Sequence, residues 1–134
     1  MDSLRHLVDG FGVALQPLNV FLALAGVGIG TFVGMLPGIG PINAIAILIP
    51  VTFAAGIPPE SALILLVGIY YGSQYGNSIS TILLNVPGTA SAVVTAIDGH
   101  AMTKAGRAGP ALAASAIASF VGGTFSIFGL VLFA

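Results

Sequence analysis

Two short motifs, LPGIGP and NVPGTAS, combine helix-breaking residues with groups that could bind an anion. In the first motif, Pro37 ends the incoming helix, and Gly38 and Gly40 permit tight turns. Pro41 suits the first position of the next helix, where a missing N–H costs nothing. The new helix therefore starts with unpaired N–H groups and about half a positive charge. Such an N-terminus can bind carboxylate oxygens without a cationic side chain.

The second motif repeats this arrangement. Pro87 and Gly88 break the chain, Thr89 is predicted to be the N-cap, and a short helix is predicted from Ala90 to Ile97. We expect both motifs to lie close together and to line one polar cavity. From the residues alone, two connecting turns near a membrane surface explain the motifs equally well. The residues predicted to bind an anionic substrate are Gly38, Ile39, Gly40, Asn43, Gly88, Thr89, Ala90 and Ser91.

A polar stretch from Tyr70 to Thr81 interrupts an otherwise apolar run and contains Gly72 and Gly76. Hydrocarbon penalises amide and hydroxyl groups unless they are paired or face a cavity. The stretch therefore predicts groups that face the protein interior, where an ion or a substrate could pass. The residues predicted for an ion or pathway site are Asn77, Ser78, Ser80, Thr81 and Asn85.

Two rows of glycines recur at four-residue spacing, which places each row on one face of a helix. Small residues on one face let the backbone of another helix approach closely. Packing is the predicted role of the first row, whereas packing and a pathway both remain open for the second. The rows are Gly26, Gly30 and Gly34, followed by Gly68, Gly72 and Gly76.

The titratable side chains are too few and too scattered for catalysis or for metal binding. Between Gly10 and Ile97 they are Glu60, beside a turn of two prolines, and three tyrosines. A membrane enzyme needs convergent titratable groups in its apolar region, so we predict no catalytic residue, no metal ligand and no cofactor. The net charge of −1 and the lack of a basic cluster argue against nucleic acid as a partner.

The composition is that of a chain surrounded by lipid. Hydrophobic residues make up 57% of the 134, and three basic and four acidic side chains carry all the charge. A soluble domain has about 25% charged residues. No charge falls between Gly10 and Pro59, between Ser61 and Ile97, or after Ala108, and each run can hold a span of about 20 residues. The sequence predicts an all-α integral membrane protein in a lipid bilayer.

Helix breakers and apolar runs divide this predicted membrane domain, residues 1–134, into six parts. The third span would be about 39 Å long, too long to stand upright, so we expect it to break near YYGSQYGNS. The last run has no flanking charge or aromatic anchor, which predicts that the sequence is a truncated, N-terminal part of a longer protein. The parts are an interfacial helix at about 2–15, spans at about 18–36, 42–57, 61–86 and 110–134, and a polar loop at 98–109.

Three segments carry a resemblance to a known family: GVGIGTFVGMLPGIGPINAIAILIPVTF, LVGIYYGSQYGNSISTILLNVPGTASAVVTAIDGHAMTKAGRAGPAL and SFVGGTFS. Their order closely resembles the N-terminal part of the large membrane subunit of tripartite tricarboxylate transporters, the TctA family. The two motifs occur in the order of the family, with long matching flanks, and the likeness covers nearly the whole chain. One departure is Asn77, where the family pattern has a second glycine.

The two Pro-Gly motifs predict discontinuous helices, and the resemblance implies that they belong to a multi-span helical transporter. It implies a permease subunit of a secondary transporter that imports citrate-like tri- and dicarboxylates, coupled to Na⁺ or H⁺. The partners would be a small, TctB-like membrane subunit and a periplasmic, TctC-like solute-binding protein, at the bacterial inner membrane. Two alternatives stay open: a structural membrane subunit without transport activity, and a secondary transporter for a different carboxylate or ion.

Overall fold

The computed structural model describes the backbone of residues 2–133 and the side chains of residues 5–133. Within residues 2–133 the fold is helical and has no β-strand. Ala134, at the end of the predicted last span, lies outside the described residues. The helices are α1 (Asp2–Ala14), α2 (Pro17–Met35), α3 (Pro41–Ala54), α4 (Pro59–Leu84), α5 (Ala92–Thr95), α6 (Ala101–Lys104) and α7 (Ala108–Phe133), and a π-helical turn (Ala96–His100) joins α5 to α6.

Prolines start three of the helices, and a left-handed residue ends the longest. Pro17, Pro41 and Pro59 each stand in the first turn, and no N-cap side chain bonds to these helices. Proline suits this position because its fixed φ is helical and its missing N–H needs no partner. α4 ends at Asn85, whose φ is 59° and whose N–H donates to the Thr81 carbonyl oxygen at 3.0 Å. The predicted proline start of the second apolar helix is confirmed.

α4 is a continuous helix of 26 residues, so the predicted break near YYGSQYGNS is wrong. Hydroxyl groups in this stretch donate to carbonyl groups of their own helix. Ser73 Oγ donates to the backbone carbonyl oxygen of Tyr70 at 2.9 Å, and Ser80 Oγ donates to that of Asn77 at 3.0 Å. The polar side chains are therefore satisfied without opening the helix. At 1.5 Å per residue, α4 is about 39 Å long.

The predicted polar loop at 98–109 is helical as far as Lys104, so this prediction is wrong for most of the segment. The cause is a contact with the C-terminal end of α4, where the last carbonyl groups lack helical partners. His100 Nδ1 lies 3.1 Å from the Ile82 carbonyl oxygen, and Thr103 Oγ1 donates to the same oxygen at 3.0 Å. The segment folds because it caps α4, and only a short turn before α7 remains non-helical.

α2 and α4 pack backbone against backbone along the two glycine rows. A β-carbon built on Gly26 would lie 2.5 Å from the Leu65 carbonyl oxygen, and one built on Gly68 would lie 2.8 Å from the Ala23 carbonyl oxygen. No side chain larger than hydrogen fits at such distances, so both rows are packing surfaces. The positions where the approach is closer still are Gly30, Gly34, Gly72 and Gly76.

The two helices run in the same direction. Gly30 faces Ile69 and Gly34 faces Ser73, so residue numbers rise together along the contact. The chain must therefore return between α2 and α4, and α3 with its flanking turns makes that return. Gly76 lies beside the last turn of α2. The remainder of α4, about eight residues or 12 Å, extends beyond the end of α2.

Two described helices, α2 and α7, are long and apolar enough to cross a membrane. α3 is apolar but has only 14 residues. Many large apolar side chains are exposed in this chain, including Phe53 on α3 and Phe133 on α7. Such surfaces need lipid or further protein around them. Membrane crossing by α3 and α4, and an interfacial position for α1, stay predictions.

Replacing Gly72 with alanine should destabilise the fold, whereas replacing Gly28 should not. The added carbon at Gly72 would collide with backbone atoms of Val27 and Thr31, and overpacking of this kind costs about 1–3 kcal/mol. Gly28 lies on α2, the other helix of this contact, but a β-carbon there would have nothing within 4 Å, and alanine favours helix over glycine by about 1 kcal/mol. Thermal unfolding of the full-length protein in detergent would measure both variants. Equal unfolding temperatures would contradict the packing role.

Candidate functional site

One cavity of about 450 Å³ lies where the two Pro-Gly turns meet the middle of α4. A β-carbon built on Gly40 would lie 3.5 Å from the Gly88 carbonyl oxygen, so the turns are neighbours. The predicted closeness of the two motifs is confirmed, whereas their binding of a ligand stays a prediction. The cavity is lined by Gly38, Gly40, Pro41, Ile42, Asn43, Tyr70, Gln74, Gly88, Thr89, Ala90 and Ser91.

The first turn presents unpaired backbone donors. Gly38 has a φ of 86°, which glycine adopts without strain. The N–H of Ile39 donates to the Leu36 carbonyl oxygen at 3.2 Å, and Ile39 does not line the cavity although it was predicted to bind. Within residues 2–133, no backbone group accepts a hydrogen bond from the N–H of Gly38, Gly40 or Ile42. These three donors remain for a ligand or for water.

The second turn presents donors of the same kind. Within the described chain, no backbone group accepts from the N–H of Thr89, Ala90 or Ser91. α5 begins at Ala92 and has no side-chain cap, so the prediction that Thr89 caps a helix from Ala90 is wrong. α5 has only four residues. The π-helical turn and α6 continue it without a break, so the donors at this turn lie at the N-terminal end of a helical run over 92–104.

Asn77 of α4 fixes the second turn. The N–H of Gly88 donates to Asn77 Oδ1 at 2.7 Å, and Asn77 Nδ2 donates to Thr89 Oγ1 at 2.9 Å. Because a backbone N–H can only donate, the atom that faces Gly88 must be the carbonyl oxygen, which determines the amide orientation. The Asn77 side chain is 2% exposed. An amide lies inside α4 because it bonds to the turn, and not because it contacts an ion. The same hydrogen bonds fix the position of Thr89.

Two hydroxyl groups continue from this amide toward the cavity. Thr89 Oγ1 lies 3.2 Å from Ser91 Oγ. Because Thr89 Oγ1 accepts from Asn77 Nδ2, its own proton can be donated to Ser91. The Ser91 proton then remains as the donor for a ligand. Ser91 is exposed and lines the cavity.

The other residues predicted for an ion or pathway site do not come together. Ser80 and Thr81 are buried, and each donates to a carbonyl group of α4. Ser78 lines a different cavity, against α7. Asn85 ends α4 and lines a third cavity. The prediction that the polar stretch faces the protein interior holds for Asn77, Ser80 and Thr81, but the structure forms no single site from these residues.

Four lining residues were not among the predicted binding residues: Pro41 and Ile42 in the first turn of α3, and Tyr70 and Gln74 on α4. Tyr70 and Gln74 lie one helical turn apart on α4, and Gln74 Nε2 donates to Tyr70 Oη at 3.1 Å. Both were treated as part of a polar stretch and not as part of the site. Their four-residue spacing, the same as that of the glycine row beside them, was the available signal.

No charged side chain of the described residues lines this cavity. Lys104 and His100 line the cavity beside Asn85 instead. The donors that remain are peptide N–H groups, hydroxyls and the amides of Asn43 and Gln74. A hydrogen bond to a charged acceptor contributes about 1.5–3 kcal/mol net. Several such bonds together can hold a carboxylate-rich anion without a buried cationic side chain.

Replacing Asn77 with alanine should destabilise the protein by about 1–3 kcal/mol, because the half-buried N–H of Gly88 would lose its acceptor. Ser78→Ala is the matched control, since Ser78 is the next residue and donates only within α4. We expect that control to change stability by less than about 1 kcal/mol. Thermal unfolding and amide hydrogen exchange at Gly88 would measure the difference. Unchanged Gly88 exchange in Asn77→Ala would exclude the supporting role.

A family model described as "Tripartite tricarboxylate transporter TctA family" matches residues 20–134. The "Uncharacterized 52.8 kDa protein in TAR-I ttuC' 3'region" of Agrobacterium vitis is 52% identical over 123 residues, which are 92% of this chain and 24% of that protein. The chain thus spans about a quarter of the length of this relative. No solved structure matches the chain. The chain belongs to the TctA family of tripartite tricarboxylate transporters.

Proposed function

We propose that the chain is the N-terminal part of a permease subunit that imports citrate-like tri- and dicarboxylates by cation-coupled secondary transport. One observation supports this most directly. Two turns that are about fifty residues apart in sequence meet at one cavity of about 450 Å³. Among the described residues, this cavity has N–H groups without a backbone partner and hydroxyls, but no charged side chain. A cavity of this kind suits an oxygen-rich anion that must be released as readily as it is bound.

Family membership fixes the general class of activity. TctA proteins are components of tricarboxylate transporters and are not enzymes. With two helices able to cross a membrane, the chain is a membrane protein. Since it spans 24% of the length of its relative, the substrate, the coupled ion and the partners belong to the complete subunit and are part of the proposal.

Charge balance supports cation coupling. The N-terminus of α3 and that of the helical run over 92–104 each supply about half a positive charge, which together is about one charge. A citrate-like trianion would therefore remain largely uncompensated at this cavity. Positive charge must come from a co-bound cation, from a proton on the substrate, or from other parts of the subunit. A transporter that moves Na⁺ or H⁺ with its substrate meets this requirement, and no fixed cationic side chain is then needed.

The position of the cavity along α4 supports discontinuous helices within a membrane. Tyr70 and Gln74 lie on either side of the midpoint of this helix of 26 residues. If α4 crosses the bilayer, the cavity lies near the midplane, where secondary transporters bind their substrates. Irregular backbone at that depth is tolerated where it lines a cavity, as the chain does between α2 and α3 and between α4 and α5. A multi-pass topology follows from this placement.

The proposed partners are a small, TctB-like membrane subunit and a periplasmic, TctC-like solute-binding protein, assembled at the bacterial inner membrane. Family membership supports further subunits. No residue in the most apolar stretch of α7 is buried in this chain. This helix is therefore free to contact lipid, another part of the subunit or a membrane partner. A binding protein would deliver the anion to the cavity from the periplasmic side.

A structural subunit without transport activity is the second candidate, and the glycine contact between α2 and α4 would suit it equally. Such a subunit has no need of unpaired donors around a cavity. Transport by the complete subunit with its companion proteins, reconstituted in liposomes, separates the two. We expect uptake of labelled citrate or a related carboxylate only under an inward Na⁺ or proton gradient. Absence of both binding and uptake for all tri- and dicarboxylates tested would favour the structural role.

Ser91→Ala should weaken carboxylate binding, because it removes the hydroxyl that remains free to donate into the cavity. The expected loss is about 0.5–1.5 kcal/mol for an ordinary hydrogen bond and about 3 kcal/mol for one to a charged group. This corresponds to a several-fold to hundredfold rise in Kd. Thr89→Ala should have a comparable effect on affinity and a further effect on stability, because Asn77 loses its acceptor. Calorimetry on the purified subunit would measure both variants.

Lys104→Ala is the control for long-range charge. Lys104 is exposed and lines a separate cavity, and its charge is screened within about 8 Å at physiological salt. We expect its loss to change affinity far less than the loss of Ser91. Loss of carboxylate binding in Lys104→Ala, together with normal binding in Ser91→Ala and Thr89→Ala, would place the anion at the cationic segment and refute the site between the turns.

A further inference from the structure

A second polar cavity, of about 540 Å³, lies between α4, the π-helical turn and α7. It shares no lining residue with the cavity between the two Pro-Gly turns. Its polar side chains are of two kinds, one carboxylate and several hydroxyls, and most of its other lining residues are alanine or aliphatic. The polar side chains are Ser78 of α4, Thr95 and Asp98 of the segment after α4, and Ser115 and Ser119 of α7.

Two serines of α7, the half-buried Ser115 and the exposed Ser119, offer hydroxyls to this cavity. Ser115 and Ser119 lie one turn apart on the face that lines the cavity, and the neighbouring lining residues of α7 are alanines, which leave space. Thr124, further along α7, donates to the Phe120 carbonyl oxygen at 2.8 Å, which is the usual way to satisfy a hydroxyl in an apolar helix. Within the described chain, neither serine makes such a bond. Their oxygen atoms remain free on the cavity wall.

The π-helical turn separates the acidic group from the basic groups that follow it. Asp98 lies within this turn and lines the cavity against α7, whereas His100 and Lys104 line the other cavity, beside Asn85. π-helical turns occur mostly as single turns at functional sites. Neither basic side chain lines the cavity of Asp98. Its carboxylate contributes a full negative charge to a cavity that otherwise contains neutral oxygen atoms.

This set of ligands suits one class of ion. Carboxylate and hydroxyl oxygens bind hard cations, and softer metals require nitrogen or sulfur ligands, which this cavity lacks among its described lining residues. A single carboxylate is neutralised by a single positive charge, whereas a divalent ion would leave an excess. We propose that this cavity is a Na⁺ site, with Asp98 as the charged ligand and the Ser115 and Ser119 hydroxyls as neutral ligands.

The site supplies the coupled cation that the proposed transport function needs, and in that respect it rests on the proposed function. Ion binding can nevertheless be measured without any carboxylate. The full-length subunit in lipid nanodiscs would be titrated with ²²Na⁺ in a scintillation proximity assay, with thermal unfolding of each variant as the check on folding. Asp98→Asn should raise the Kd for Na⁺ at least about tenfold. The double variant Ser115→Ala/Ser119→Ala, which keeps the carboxylate, should raise it several-fold.

Glu60→Gln is the matched control, since Glu60 is an exposed carboxylate in the first turn of α4, away from this cavity. Its Kd for Na⁺ should equal that of the wild type. Absence of Na⁺ binding in the wild type, or wild-type binding in Asp98→Asn, would overturn the proposal. Loss of Na⁺ binding in Asp98→Asn, in a protein that transports no carboxylate, would support the cation site and refute the transport function. Carboxylate uptake with unchanged Na⁺ dependence in Asp98→Asn would support the transport function and refute the cation site.

Discussion

The contact between α2 and α4 sets the level at which the two Pro-Gly turns meet. Glycines of each helix face backbone atoms of the other, so a shift by one residue would drive β-carbons into the opposing backbone. In the register that results, Gly76 lies beside the last turn of α2, and Asn77 follows it directly. The first Pro-Gly turn leaves the end of α2 at this level. The second turn is brought to the same level by its hydrogen bonds to Asn77.

Asn77 and Gly88 are complementary in size. A β-carbon on Gly88 would lie 2.7 Å from Asn77 Oδ1, so the amide can reach the turn only because Gly88 has no side chain. Holding the turn from the α4 side leaves the following N–H groups free of backbone partners. A ligand would then meet donors that are already oriented, and little conformational entropy is lost on binding. Packing of two helices and geometry of the cavity are in this way linked through one side chain.

The features that were predictable depend on rules that act within a few residues. The residue types and their spacing indicate which helices start at proline and where glycines recur at four-residue intervals. The shared cavity was predicted because both Pro-Gly motifs were expected to line one polar cavity. The features that were not predictable depend on a tertiary partner. The helix over 101–104 forms because Ile82 needs donors, and α4 stays unbroken because its glycines are covered by α2. The buried bond from Ser61 Oγ to Asn19 Oδ1, 2.6 Å, joins two helices and has no local signal.

The segment over 88–104 connects the two polar cavities mechanically. Its first turn contributes donors to the cavity between the motifs, and Asp98 faces the cavity against α7. The segment is held on α4 at both ends, by Asn77 at the turn and by the Ile82 carbonyl group near its C-terminus. A rigid displacement along α4 would therefore change both cavities together. An ion that neutralises Asp98 and an anion that bonds to the turn act on the same body, which is the physical requirement for one ligand to alter the affinity of the other.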